Sequence, residues 1–455
     1  MDIIPILTAK LTQLNANFSA SFPPPNLNNQ YQVTDVTPWA LYGWSGTAYT
    51  KVGGTATTGA AGPLAQYMGQ VATRCGFSVF TKFNGTVQIQ NRTIHQATDY
   101  LTAPRVIFGT ATNQAVNLDT NATIECSIEY PLNSGNYHRR LFSGVNVGTI
   151  TPTALITSDT LNTLNAGITI PKGAFFAVRS LLTASGSTGI QATATSFTPV
   201  GAPYYEGSIT SSTATQTNIV VTTATGGTSG NNDGFNTPTT VFRPLAIIDN
   251  TTQPSIFLAG DSITYGLNDV ADGYNRQGMV ERSLGNIGMI NAGQPSEAIV
   301  TVNSTPTTFA TRATLIQYCS HIIVQYGIND IVSASATAST LSASLNTFRT
   351  TYGIGKYMLA CTLLPLTTTT DSFVTVANQT VFGNDVNRVA YNKALRSNAL
   401  VGYIGIIDYE GASLDNYAVS KWKVAPAGFQ FTGDGIHPSQ IGANYIGSNV
   451  KVNLF

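Results

Sequence analysis

Four histidines limit where an imidazole can serve as a base: His95, His138, His321 and His437. His321 opens an apolar run and reads as a core or edge residue. His95 and His138 fall in a region of alternating residues, with no chemistry implied. His437 differs, standing in Asp434-Gly-Ile-His-Pro-Ser439, a turn-rich segment ahead of a helical pattern. A carboxylate three residues before an imidazole can reach its Nδ1 and leave Nε2 free to take a proton. Alone, Asp-x-x-His equally describes a cap or a surface turn.

Ser262 adds a nucleophile. It follows the apolar run Ser255–Ala259 in Gly260-Asp-Ser-Ile-Thr264, where a strand would end and expose a hydroxyl. An N-cap serine fits the same letters. Two further apolar runs end in residues suited to holding a developing oxyanion. Asn291-Ala-Gly293 offers a backbone N–H that a ligand can approach closely, and Gly327-Ile-Asn329-Asp330 offers a side-chain amide.

These fragments need a scaffold that brings them to one edge. Beyond residue 249 apolar runs at Ser255–Ala259, Ile287–Asn291, His321–Tyr326, Tyr357–Leu363 and Tyr403–Ile407 alternate with helical patterns. The helical patterns are clearest at Leu341, Leu345, Phe348 and Tyr352, and over Asp385–Asn398. Such alternation predicts a parallel sheet covered on both faces, with its active site at the carboxyl ends of the strands. Each fragment is weak by itself; four in this order are not.

In combination the four blocks resemble the SGNH, or GDSL-type, hydrolases. They are Gly260-Asp261-Ser262, Gly293, Gly327-x-Asn329-Asp330 and Asp434-x-x-His437, within residues 250–455. The resemblance implies a three-layer α/β/α sandwich on a parallel five-stranded sheet, acting without cofactor or metal. It implies Ser262 as nucleophile, His437 as general base and then acid, and Asp434 as its orienting partner. The Ser262 N–H, the Gly293 N–H and the Asn329 side chain would form the oxyanion hole. Ser296 departs from the pattern, since members commonly carry glycine there, which touches loop shape. Asp261, Asp269 and Asp330 read as structural.

Upstream, residues 86–249 show period-two patterning. Ala122–Tyr130 alternates Ile124, Cys126, Ile128 and Tyr130 against Thr123, Glu125, Ser127 and Glu129. Further strands are expected at Thr86–Gln90, Arg105–Gly109, Gly167–Pro171, Phe175–Leu181, Asn218–Thr223 and Pro244–Ile248. Short strands between Gly/Asn/Pro-rich turns predict a β-sandwich or jelly-roll accessory domain. Residues 1–85 form a separate N-terminal region. There Ile4, Leu7, Leu11 and Leu14 predict a short amphipathic helix, a candidate attachment or self-association segment. A second helix is expected from Pro63 through Leu64, Tyr67, Met68, Val71, Ala72 and Cys75 to Gly76.

Composition narrows the function. With 22 basic and 22 acidic residues in 455, the chain lacks the footprint of a nucleic-acid binder. No apolar run approaches the roughly 20 residues of a membrane span. Charged residues make up 10%, against about 25% in ordinary domains. Thr, Ser, Asn and Gly take their place, as on extracellular or virion surfaces such as a phage tail. The start, Met-Asp-Ile-Ile-Pro-Ile-Leu, has no basic segment of a signal peptide. Cys75, Cys126, Cys319 and Cys361 lack a metal-binding spacing and read as buried free thiols. The absence of a basic amphipathic helix, together with Trp39, Trp44 and many tyrosines, favours an O-acetyl esterase of polysaccharide. A general short-chain carboxylesterase or lipase is the second reading. A glycan-binding structural protein with an inactive hydrolase half is the third.

Overall fold

The computed structural model describes residues 65–77, 88–109, 121–151, 154–160, 168–184, 207–211, 240–272, 276–397, 400–415, 419–424, 429–452 and 454. It also gives the backbone of short strands elsewhere. Its centre is a parallel six-stranded sheet in the order Gly405–Ile407, Tyr357–Cys361, His321–Gln325, Ser255–Gly260, Gly288–Asn291 and Cys75–Gly76. The middle strands are buried at every position, as a sheet covered on both faces requires. Helices Gly278–Leu284 and Gln440–Asn449 pack together, as do Ile299–Ser304, Ala338–Tyr352 and Asp385–Arg396 in turn. Leu341, Leu345 and Phe348 supply the buried stripe of the longest helix.

Five of these strands lie where the apolar runs place them. The sixth comes from the segment expected to be a helix. Tyr67–Gln70 and Cys75–Gly76 are strands, and each joins a different sheet. Tyr67–Gln70 pairs antiparallel with Ala246–Thr251, and Cys75–Gly76 pairs parallel with Ile290 and Asn291. Helical spacing of apolar residues loses here to pairing with strands far along the chain. In the N-terminal region Leu7 lies in a backbone strand, Ile6–Ala9, and not in a helix. Ile4, Leu11 and Leu14 lie outside the described residues.

Two larger antiparallel sheets precede the α/β half. One runs Tyr137–Arg140, Ala122–Glu129, Phe175–Ala184, Gln88–Gln96 and Gly207–Ser211, with Gly148–Ile150 also paired to Ala122–Glu129. The other runs Ile156–Thr157, Arg105–Phe108, Ala246–Thr251 and Tyr67–Gln70. Residues from both sheets share one apolar cluster, including Ile89, Val106, Ile124, Ile128 and Val178. Alternation makes the smaller sheet two-faced. Val106, Phe108 and Ile247 point into that cluster, whereas Ile107, Ala246 and Ile248 belong to the core of the α/β half. Of the other expected strands, Gly167–Pro171 contributes only an isolated bridge at Ile170, and Asn218–Thr223 lies outside the described residues. All four cysteines are buried and free.

Candidate active site

Parallel register sets the site. Leu258 is level with Asn291 on one side and Ile323 on the other, so the three chains leave the sheet at the same edge. The central strand runs into a four-residue helix, Ser262–Tyr265, capped by Asp261, whose Oδ1 accepts the Ile263 N–H at 2.9 Å. Gly260 is required at the bend, because a Cβ there would lie 2.0 Å from Thr264 Oγ1. Ser262 is 6% exposed.

The segment carrying His437 arrives from the far end of the chain and meets this serine. Ser262 Oγ and His437 Nε2 are 2.7 Å apart, and His437 Nδ1 lies 2.7 Å from Asp434 Oδ2. With the Nδ1 proton donated to the carboxylate, Nε2 is the acceptor for the serine hydroxyl. Asp434 Oδ1 accepts the N–H groups of Ile436 and His437 at 2.9 and 2.8 Å. Burial opposes ionisation of this carboxyl, but the bonds from His437 and Ile436 outweigh it and hold the group down to about 2. It is a carboxylate throughout the physiological range.

The turn around His437 is braced from inside the protein. Gly435 has φ of +80°, a conformation that favours glycine, and its carbonyl accepts the Thr367 N–H at 3.1 Å and the Trp422 Nε1–H at 2.9 Å. Trp422 is fully buried, and Gln379 bonds both its N–H and its carbonyl at 2.9 Å. Thr432 Oγ1 closes the turn, donating to the His437 carbonyl at 2.8 Å and accepting the Gly435 N–H at 2.9 Å.

The other strand ends supply less simple donors than their residue types suggest. The buried Gly293 N–H is already donated to Asn291 Oδ1 at 3.0 Å. The absent side chain of Gly293 serves packing instead, since a Cβ would lie 2.6 Å from the Tyr265 N. Asn291 reaches across to the Ser262–Tyr265 helix, donating through Nδ2 to the Thr264 carbonyl at 2.9 Å. Asn329 Nδ2 donates one hydrogen to the Glu297 carbonyl at 3.0 Å, which leaves its second N–H. Between these elements Ser296 is exposed and has φ of +64°. The side chain of Glu297 is buried in an ion pair with Arg312 and accepts the Tyr326 hydroxyl at 2.6 Å. Arg312 also holds the Ala292 carbonyl at 2.8 Å, so this buried charge cluster fixes the loop.

The remaining acids are occupied structurally. Asp330 caps Ile299–Ser304, accepting the Ile299 and Val300 N–H groups at 3.1 Å each. Asp269 pairs with Arg282 at 2.7 Å, out of water. Asp261 is fully buried, and desolvation raises it to about 7 against the pull of the Ile263 N–H and His437. His95 and His321 are buried, and burial lowers them to about 3 and about 4. Among the described residues no cluster of His, Cys, Asp and Glu has metal-holding geometry, and no helix is long and apolar enough to cross a membrane.

No protein-family profile matches the chain, and no curated protein does. Solved structures do match part of it. A lipolytic G-D-S-L family protein from Veillonella parvula is 19% identical over 43% of this chain and 94% of its own, with a TM-score of 0.32. The lipase/acylhydrolase from Enterococcus faecalis is 20% identical over 44% of this chain and all of its own, at 0.29. A carbohydrate acetylesterase family member from Sinorhizobium meliloti is 16% identical over 43% and 94%, at 0.30. This chain resembles the GDSL-type hydrolases in part. The braces at Trp422, Thr367 and Asn291 have no signal in the local sequence. Each works across 13 residues or more.

Proposed function

We propose that the chain is a serine esterase in which Ser262, His437 and Asp434 form a catalytic triad. One observation carries this reading: the hydroxyl, imidazole and carboxylate lie in one chain of 2.7 Å contacts. In the first half-reaction Ser262 Oγ bonds to the ester carbonyl carbon while its proton passes to His437 Nε2. The carbonyl π pair moves onto oxygen. As the tetrahedral species collapses, the C–O bond to the alcohol breaks and Nε2 returns the proton to the leaving oxygen. Water then adds to the acyl-serine by the same route, the acid departs, and Oγ regains its proton. Asp434, ionised throughout, balances the imidazolium.

The oxyanion is held by the Ser262 N–H and the second Asn329 N–H. The backbone N–H of Ser296, an exposed residue next to the Glu297 whose carbonyl Asn329 holds, is assigned the place expected for Gly293, whose N–H bonds Asn291. Each such donor contributes about 3 kcal/mol in the transition state.

For substrate we propose short acyl esters, first O-acetyl groups on polysaccharide. Low charge and a Thr/Asn-rich surface support work on neutral glycans outside a cell or on a virion. A general short-chain carboxylesterase is the second reading. Self-association through the N-terminal region rests on residues mostly outside the described set. The wild type is expected to turn over p-nitrophenyl acetate, and Ser262→Ala to lose at least about 10³-fold in kcat. Equal turnover by the two proteins refutes the esterase. Acetate release from acetylated polysaccharide exceeding p-nitrophenyl octanoate hydrolysis supports the first substrate class, and the reverse order supports the second.

A further inference from the structure

Asp434 has a further hydrogen-bond partner on the segment that follows Ser262. Asn268 Nδ2 donates to Asp434 Oδ2 at 3.1 Å, the same oxygen that lies against His437 Nδ1. The two carboxylate oxygens thus have separate duties. Oδ1 takes the backbone N–H groups of its own turn, and Oδ2 takes the imidazole and the amide from across the site. Asn268 is 166 residues away in sequence, so its bond ties the nucleophile-bearing segment directly to the base-bearing turn.

Although exposed, Asn268 is not loosely placed. On one side the Leu267 N–H donates to the Ser262 carbonyl at 2.9 Å. On the other, Asp269 is locked by Arg282 and by the Gly278 N–H at 2.7 Å each. Asn268 itself has φ of +67°, a conformation asparagine tolerates better than most residues. Its backbone is therefore held between two anchored neighbours, close to the turn that carries Ser262. Asp434 needs such support because its side chain is 41% exposed and water competes for its free lone pairs.

We propose that Asn268 is a positioning residue that fixes Asp434 Oδ2, and through it the His437 ring, in line with Ser262. This rests on the triad reading above. Two variants separate the amide from the turn. Asn268→Gly keeps the left-handed backbone and deletes the donor, whereas Asn268→Asp keeps the shape and sets a like charge against Asp434. Asn268→Gly is expected to lower kcat about tenfold with KM within about twofold. Asn268→Asp is expected to lose more, with the acidic limb of its pH–rate profile moved to higher pH. The acids facing His437 are then Asp434, the new carboxylate and the buried Asp261, which the variants leave in place.

The His437 Nδ1–H resonance gives a readout that needs no turnover. Faster solvent exchange of that proton in Asn268→Gly, with an unchanged melting temperature, supports the assignment. Unchanged exchange in Asn268→Gly overturns it, even if Ser262→Ala abolishes turnover. A wild type without esterase activity would sink the functional reading, while the exchange measurement still decides the role of Asn268.

Discussion

The two sides of the site are built differently. The nucleophile side is made by burial. Ser262 follows a fully buried strand and opens a short helix whose residues Ile263, Thr264 and Tyr265 are buried as well. The base side lies near the surface and is held by hydrogen bonds. Asp434 is partly open to solvent, and its turn is located by Thr432, by the backbone of Thr367 and by a single indole N–H. Packing fixes a position by many small contacts, none of them decisive. A hydrogen-bonded turn depends on a few donors, each of which a single substitution can remove. The base side should therefore be the more sensitive to conservative changes.

The largest effect should come from Asp434→Asn. The amide keeps the shape but favours the wrong imidazole tautomer, and about 10⁴-fold in kcat is expected to go. Steady-state kinetics beside an unchanged circular dichroism spectrum would check this. Next is Trp422→Phe, which keeps an aromatic body and removes the donor to Gly435. About a tenfold drop in kcat is expected, with KM little altered, because one bond holding the turn is lost. Equal kcat in variant and wild type would mean that the Thr367 and Thr432 bonds hold the turn without the indole.

On the nucleophile side Asp261→Asn should leave kcat within a few-fold and act on stability instead. The folded protein keeps the Asp261 proton up to about pH 7, whereas the unfolded chain releases it near pH 4. Between those values rising pH favours unfolding, and above about 7 the penalty is constant. The variant cannot ionise there. Its advantage in melting temperature over wild type should grow from pH 4 to pH 7 and then level off. A constant difference across that range would show that Asp261 ionises normally in the fold.

The same contrast explains what the sequence reveals. Strands such as Ser255–Gly260 and His321–Gln325 are legible because burial on both faces demands unbroken apolar runs. Ser262 and Asn329 stand out just past them, because the carboxyl edge of such a sheet is where chemistry is expected. His437 stands out because histidines are few. Tyr67–Gln70 misleads because its apolar spacing is helical while its pairing partner, Ala246–Thr251, lies some 180 residues away. Gly293 carries the residue type of a donor, and only its bond to Asn291 shows where that N–H goes. Trp422 and Asn268 stay silent because a long-range hydrogen bond leaves no periodic trace.

Whether one imidazole makes one serine hydroxyl nucleophilic can be read with a fluorophosphonate probe and peptide mass spectrometry. Stoichiometric labelling confined to Ser262, lost in Ser262→Ala and strongly slowed in His437→Ala, is the expected result. Absence of labelling at Ser262 in an esterase-active protein, or labelling there at the same rate without the imidazole, would contradict the account.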